Sequence, residues 1–127
     1  MKMINSGARV ILGADTGIRP GNAFGSGDHH EMEHWVRMGL SNAQAIVAVT
    51  SRPAEALDLK DVGILAEGKN ADFLVLNANP LDDIRNTRAI VNVYLGGTAL
   101  DRAALAARWK LTLERRSAPA SRAGPGE

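Results

Sequence analysis

The spacing of hydrophobic residues changes character near residue 61 and divides the chain into two parts. Before that point, a nearly continuous apolar run over residues 9–14 is typical of a strand buried on both faces, as in a parallel sheet. The glycine-rich stretch from Ile18 to Gly27 then predicts a loop. After residue 61, short apolar runs alternate with turn residues, which favours strands joined by tight connections.

Capping residues predict where the helices of the first part begin. Asp28 is a candidate N-cap, and Glu31 completes a capping box three residues later, so we expect a helix that ends at Gly39. Ser41 and Gln44 form a second capping box in front of the next helix.

Hydrophobic spacing predicts what these helices bury. The second helix is expected to bury one stripe, formed by Ala43, Ile46 and Val47. A third short helix is predicted over residues 53–59, because Pro53 suits a first helical turn.

Three strands and one helix are predicted in the second part. Residues 63–65 and 72–76 are expected to form strands joined through residues 67–69, and residues 89–95 form a further strand. Asp101 is expected to cap a last helix reaching about Trp109. The tail from Ser117, rich in Ser, Ala, Pro, Gly and Arg, is expected to be disordered.

Composition narrows the functional classes. The chain has 127 residues, a net charge of +1 and 45% hydrophobic residues, so it is the size of one domain with enough apolar side chains for a core. It has no Cys, which excludes disulfides and thiolate metal ligands. The balanced charge gives no reason to expect nucleic acid as a partner. No apolar run approaches the roughly 20 residues that span a bilayer, so we expect no membrane partner and a cytoplasmic location.

The first helix contains an H-E-x-x-H pattern, which zinc peptidases use to bind metal. In that interpretation His30 and His34 are the zinc ligands and Glu31 is the general base. The third ligand would have to be Glu55, from the third helix. On a helix, however, the two histidines lie opposite the apolar positions, which favours an ordinary solvated face. The apolar positions are Met32, Trp35 and Val36.

Asp15 follows the predicted buried strand directly. Catalytic residues gather at the carboxyl ends of strands in parallel barrels, and a carboxylate there can bind a metal or act as a base. Equally, Asp15 could cap its turn by accepting hydrogen bonds from the backbone of Thr16 and Gly17. The residues alone leave both interpretations open.

Several motifs, taken in order, resemble the amidohydrolase superfamily in its imidazolonepropionase-like and prolidase-like branch. They are VILGADTG, HHEMEHWVRMGLSNAQAI with His29, Glu31 and Glu33 on the family's helix pattern, AVTSRPAEALDL, VGILAEGKNADFLVLNANPLDDI and VNVYLGG. The resemblance runs from about Gly7 to Trp109. It implies that the H-E-x-x-H pattern is a coincidence.

The resemblance implies an α/β fold that comprises the last strand and helices of a TIM (β/α)8 barrel and part of a small β-sandwich. The implied domains are residues 1–60 for the barrel segment, 61–110 for the sandwich strands and final helix, and 111–127 for a disordered tail. The implied reaction is metal-dependent hydrolysis of a C–N bond in a small amide, dipeptide or cyclic amide, with one or two divalent metals, usually zinc. Asp15 matches the residue that binds metal and carries the proton to the leaving nitrogen.

The family's other metal ligands lie on earlier strands, and a closed barrel takes about 250 residues. We therefore expect the chain alone to be incomplete, and to need a chain that supplies the missing barrel, or a second copy. It could be a fragment, a truncated product or a mis-called start at Met1. A non-catalytic remnant or interaction module is the other hypothesis. Candidates to line a substrate pocket are Asn22, Phe24 and His29, and solvent exposure explains them equally well.

Overall fold

The computed structural model describes residues 6–13 and 25–117, and this part of the chain is α/β, as predicted. It contains helices, one short 3₁₀ helix and a small antiparallel sheet. In chain order the elements are α1 (Gly27–Arg37), α2 (Asn42–Val49), α3 (Ser51–Ala56), β1 (Phe73–Leu76), the 3₁₀ helix (Ile84–Arg88), β2 (Ile90–Leu95), β3 (Thr98–Ala99) and α4 (Arg102–Ser117).

The helix boundaries follow local capping chemistry only in part. The Ser41 capping box is confirmed: Ser41 Oγ accepts from the Gln44 backbone N–H at 3.2 Å, and Gln44 Oε1 accepts from the Ser41 N–H at 2.8 Å. The capping box predicted at Asp28 is wrong, because α1 begins at Gly27 and its N-cap is Ser26. Asp28 instead lies in the first turn, where the helix dipole favours a carboxylate.

The core lies between α1 and α2, in two clusters. The first comprises Met32, Ala45 and Ile84, and the second comprises Trp35, Leu40 and Ala48. The large side chains of α1 thus pack on small alanines of α2, which lets the two helices approach closely.

The apolar stripe predicted for α2 is therefore wrong. Ala43 and Val47 are exposed and Ile46 is half-buried, whereas the side chains of Ala45 and Ala48 are buried completely. The hydrophobic spacing predicted the helix correctly but the wrong buried face. The bulky side chains of Met32 and Trp35 pack against small side chains, so the alanines face them.

Helix α3 is displaced from its predicted range of residues 53–59. It begins at Ser51 and ends at Ala56, and Asp58 then adopts a positive φ of 55°, which a continuing helix does not allow. Gly63 packs against this helix, and a Cβ atom on it would lie 2.7 Å from the Ala54 Cβ.

Residues 8–13, predicted as part of a buried strand, form no regular secondary structure. Their packing is nevertheless fixed: Val10 and Leu12 contact the Trp35 cluster, and the Leu12 N–H donates to the Ala48 carbonyl at 3.2 Å. The described part of the chain offers no neighbouring strand, so no ladder forms here.

The sheet has the order β1–β2–β3, with both pairs antiparallel. Residues 63–65, predicted as a strand, form bends and irregular chain, and β1 pairs with β2. The two rings of Phe73 and Tyr94 lie opposite each other and stack with centroids 4.5 Å apart. Strand β3 was not predicted; it follows a two-residue turn in which Gly96 and Gly97 both have positive φ.

Helix α4 begins as predicted, because Asp101 Oδ1 accepts from the Ala104 N–H at 2.9 Å. It continues to Ser117, past the predicted end near Trp109 and into the range predicted as tail. The remaining residues, 118–127, lie outside the described part, as do residues 1–5. None of the described helices is long and apolar enough to cross a membrane.

The predicted division of the chain into residues 1–60, 61–110 and 111–127 remains a prediction. One contact crosses its first boundary: Ile84 of the 3₁₀ helix is 5% exposed and belongs to the Met32 cluster between α1 and α2.

Candidate functional site

The residue singled out most strongly by the sequence, Asp15, lies outside the described residues, together with Thr16, Gly17 and the candidate pocket residues Asn22 and Phe24. The structure describes what flanks them. Before these residues, Leu12 is anchored on α2, and after them helix α1 is packed into the core.

The H-E-x-x-H residues lie as the helical spacing predicts, on the side of α1 away from the core. His30 and His34 are exposed, whereas Met32 and Trp35 are about 5–6% exposed. The proposed third ligand, Glu55, instead forms an ion pair with Arg9. Within the described residues, no three His, Asp or Glu side chains are grouped so that they could hold a metal ion. The zinc peptidase interpretation therefore has no support in this geometry.

His29 lies one residue before this pattern and has a specific partner. Its Nδ1 is 2.9 Å from Thr87 Oγ1, although 58 residues separate the two in sequence. The Thr87 hydroxyl in turn donates to the Ile84 carbonyl at 2.8 Å, and Thr87 is buried. His29 is half-buried, so it is neither a fully solvated residue nor a core residue.

An ion pair reinforces this junction between α1 and the 3₁₀ helix. Glu33 Oε1 accepts from Arg88 Nε at 2.9 Å and from Arg88 Nη2 at 2.7 Å. The hydrogen bond from Arg88 holds the pKa of Glu33 below its ordinary value. Neither contact was predicted, because 55 residues separate the partners and nothing in the local pattern connects them.

The same junction sets the protonation of His29. Partial burial is the largest cause that lowers its pKa from 6.5, and the positive charge of Arg88 acts in the same direction. The carboxylates of Asp28 and Glu33 oppose this shift. The imidazole is therefore held mainly neutral at pH 7.

A groove of about 400 Å³ lies beside the junction, with Val36 and Ile84 as its apolar lining. Of its four charged lining residues, Arg37 donates to the Glu33 carbonyl at 3.3 Å and the other three are in ion pairs. Arg85 donates to Asp83 at 2.6–3.0 Å and lowers the pKa of that carboxyl, and Glu33 is engaged by Arg88.

Comparison with known proteins identifies relatives. The model of the family described as the amidohydrolase family matches residues 1–99. The chain is 37% identical over 103 residues to the imidazolonepropionase of Deinococcus radiodurans, a match that covers 78% of this chain and 25% of that protein.

Solved structures of hydrolases are also similar to this chain. The structure of molinate hydrolase is similar with a TM-score of 0.76 and 29% identity, covering 82% of this chain and 26% of that one. A putative prolidase from Bifidobacterium longum is similar with a TM-score of 0.73 and 32% identity, covering 88% and 29%. The chain thus spans about a quarter of the length of the Deinococcus imidazolonepropionases that it matches.

Proposed function

Because this chain belongs to the amidohydrolase family, in its imidazolonepropionase-like and prolidase-like branch, we propose that it is the carboxyl-terminal segment of a metal-dependent hydrolase of C–N bonds. The observation that carries the proposal is the family match over residues 1–99, in a chain that corresponds to only a quarter of its relatives. The proposed substrates are small amides, dipeptides or cyclic amides.

Asp15 is the proposed catalytic residue of this chain. We assign it two roles, as a metal ligand and as the carrier of a proton to the leaving nitrogen. The described residues do not provide a set of ligands for a metal, so the other ligands are proposed to come from the part of the enzyme that this chain does not cover. The proposed metal is a divalent ion, zinc first among them, whose bound water loses its proton near neutral pH.

An exposed aliphatic face of the sheet supports the proposal that further strands pack on it. Leu74 lies opposite Val93, and Leu95 shares their face because side chains alternate along a strand. Leu74 and Leu95 are 50% and 59% exposed. We propose that this aliphatic face packs against further strands of a small β-sandwich, and that residues 8–13 pair as the eighth strand of a barrel. The missing strands would come from the rest of the polypeptide or from a separate chain.

A chimera tests the proposal. In it, this chain replaces the matching quarter of the Deinococcus radiodurans imidazolonepropionase, which supplies the remaining strands. Asp15→Asn is expected to lower the kcat of the chimera by at least about 100-fold, because it removes an acid–base group. Asp61→Asn, a matched change at an exposed carboxylate outside the junction of α1 and the 3₁₀ helix, is expected to leave kcat unchanged.

A folded, active chimera in which Asp15→Asn and Asp61→Asn behave alike would refute the role of Asp15. A chimera that folds by circular dichroism but gains no metal and no activity would refute the assignment of the chain to a hydrolase.

A further inference from the structure

The hydrogen bond between His29 and Thr87 determines which ring nitrogen carries the proton. A threonine hydroxyl has one proton to donate, and the Thr87 hydroxyl donates it to the Ile84 carbonyl at 2.8 Å. The same oxygen lies 2.9 Å from His29 Nδ1 and can only accept there. His29 Nδ1 must therefore carry the proton, and in the neutral ring Nε2 has the free lone pair.

We infer that His29 presents the lone pair of Nε2 as a hydrogen-bond acceptor or base to an N–H or O–H group of the substrate, and that Thr87 positions it by fixing this tautomer. The inference rests on the proposed function, because it uses the place of α1 in a barrel. A helix that follows a barrel strand begins at the carboxyl-terminal face, where active sites of such barrels lie. His29 is in the first turn of α1 and is half-buried, so its ring is both held and accessible.

The charges around the ring are compatible with a base. Asp28, Glu33 and His30 act on it from α1, and Arg88 acts from the 3₁₀ helix. Glu33 is already engaged by Arg88 at 2.7 Å, so this carboxylate is not free to accept the proton on Nδ1. Partial burial and Arg88 both disfavour the protonated ring, which keeps Nε2 unprotonated at neutral pH.

The test begins with the tautomer, which can be read without any activity. Long-range ¹H–¹⁵N correlation spectra of the ¹⁵N-labelled 127-residue chain distinguish a protonated ring nitrogen from an unprotonated one. We expect His29, assigned through His29→Gln, to be the Nδ1–H form. The exposed residues His30 and His34 are the internal reference.

Thr87 variants separate positioning from packing. Thr87→Val keeps the shape and removes the hydroxyl, and it should shift the His29 tautomer ratio by about fivefold, the effect of one net hydrogen bond. Thr87→Ser restores the hydroxyl and should restore the ratio. If Thr87→Val does not fold, the same spectra of the native and Thr87→Ser proteins still report whether His29 Nδ1 carries the proton.

The spectra test the tautomer of His29, and the kinetics of the chimera test its role at the substrate. A neutral His29 in the Nε2–H form, or a tautomer ratio unaffected by Thr87→Val, would overturn the inference. In the active chimera, His29→Gln should lower kcat/KM and remove the limb of the pH profile that falls at acidic pH. If His29→Gln leaves the kinetics of the chimera unchanged, the role of His29 is overturned and the proposed function is intact. If the chimera is inactive both with His29 and with Gln at that position, the result counts against the proposed function alone.

Discussion

The helices and the sheet of this chain differ in what they bury. The fully buried hydrophobic side chains belong to α1, α2, α3, the Leu40 connection and the 3₁₀ helix, whereas the described strands contain no fully buried residue. The helices therefore make a core among themselves, closed at one end by Ile84. The sheet is held by backbone pairing and by the stacked rings of Phe73 and Tyr94, and its aliphatic face is exposed.

This difference separates a packed region from an exposed one. Contacts with Val10, Leu12 and Ile84, which are distant in sequence, complete the core of α1 and α2, whereas the aliphatic face of the sheet stays exposed. We expect substitutions to be costly in α1, α2 and α3 and mild in the sheet and in α4, whose described side chains are exposed.

The two tryptophans give the largest expected contrast. Trp35 is 6% exposed and Trp109 is 59% exposed. Trp35→Ala should lower the free energy of unfolding by about 3–5 kcal/mol, through lost burial and a cavity, which is enough to unfold a chain with so small a core. Trp109→Ala should change it by no more than about 0.5 kcal/mol. Urea denaturation followed by circular dichroism measures both, and equal losses would contradict the division into a buried and an open region.

Two glycines with similar φ test how closely the chain packs against α3. Gly63 has φ +92° and Gly68 has φ +78°, but only at Gly63 would a Cβ atom collide with its surroundings, at 2.7 Å from the Ala54 Cβ. Gly63→Ala should cost about 2–4 kcal/mol, from backbone strain and overpacking together. Gly68→Ala should cost about 1–2 kcal/mol from strain alone. Melting temperatures that fall by the same amount for both would show that α3 does not pack as described.

The sheet should respond weakly in the isolated chain. Leu74→Ala removes a side chain that is already half exposed, so we expect a loss of about 1 kcal/mol or less. In the chimera, where the face is proposed to be covered, the same substitution should cost at least twice as much. A loss that is the same in both proteins, measured by thermal unfolding, would argue against a covering layer on this face.

The junction between α1 and the 3₁₀ helix should make stability depend on pH, with the smallest effect of the four predictions. The pKa of His29 is lowered in the folded state, so the unfolded chain binds more protons between that pKa and 6.5. The contribution of His29 is therefore complete above pH 6.5 and is lost as the pH falls from 6.5 toward its folded pKa. His29→Gln should flatten this part of the stability profile. An unchanged slope in His29→Gln would refute the assignment.

Local signals allowed correct predictions from the sequence. The Ser41–Gln44 capping box, the end of α1 just before Gly39, which has a positive φ, and the cap at Asp101 each depend on residues within a few positions of one another. Strands β1 and β2 were also predicted, because each is an apolar run bounded by turn residues.

Contacts distant in sequence account for what was missed. A pattern can indicate that residues 9–14 suit a strand, but a ladder needs a neighbour that the described residues do not supply. The pairs His29–Thr87 and Glu33–Arg88 join segments more than 50 residues apart. The spacing of α2 identified a helix, while the side of it that is buried was decided by the bulky residues of α1.

The central claim is that this chain contributes one ligand, Asp15, to a metal site completed by the rest of an amidohydrolase. The most direct test is the metal content per molecule of the dialysed chimera, of its Asp15→Ala and His30→Ala variants, and of the 127-residue chain, by elemental analysis. The account predicts bound metal in the chimera that falls in Asp15→Ala and is retained in His30→Ala. Close to one zinc per 127-residue chain, lost in His30→Ala and kept in Asp15→Ala, would contradict it and restore the zinc peptidase interpretation.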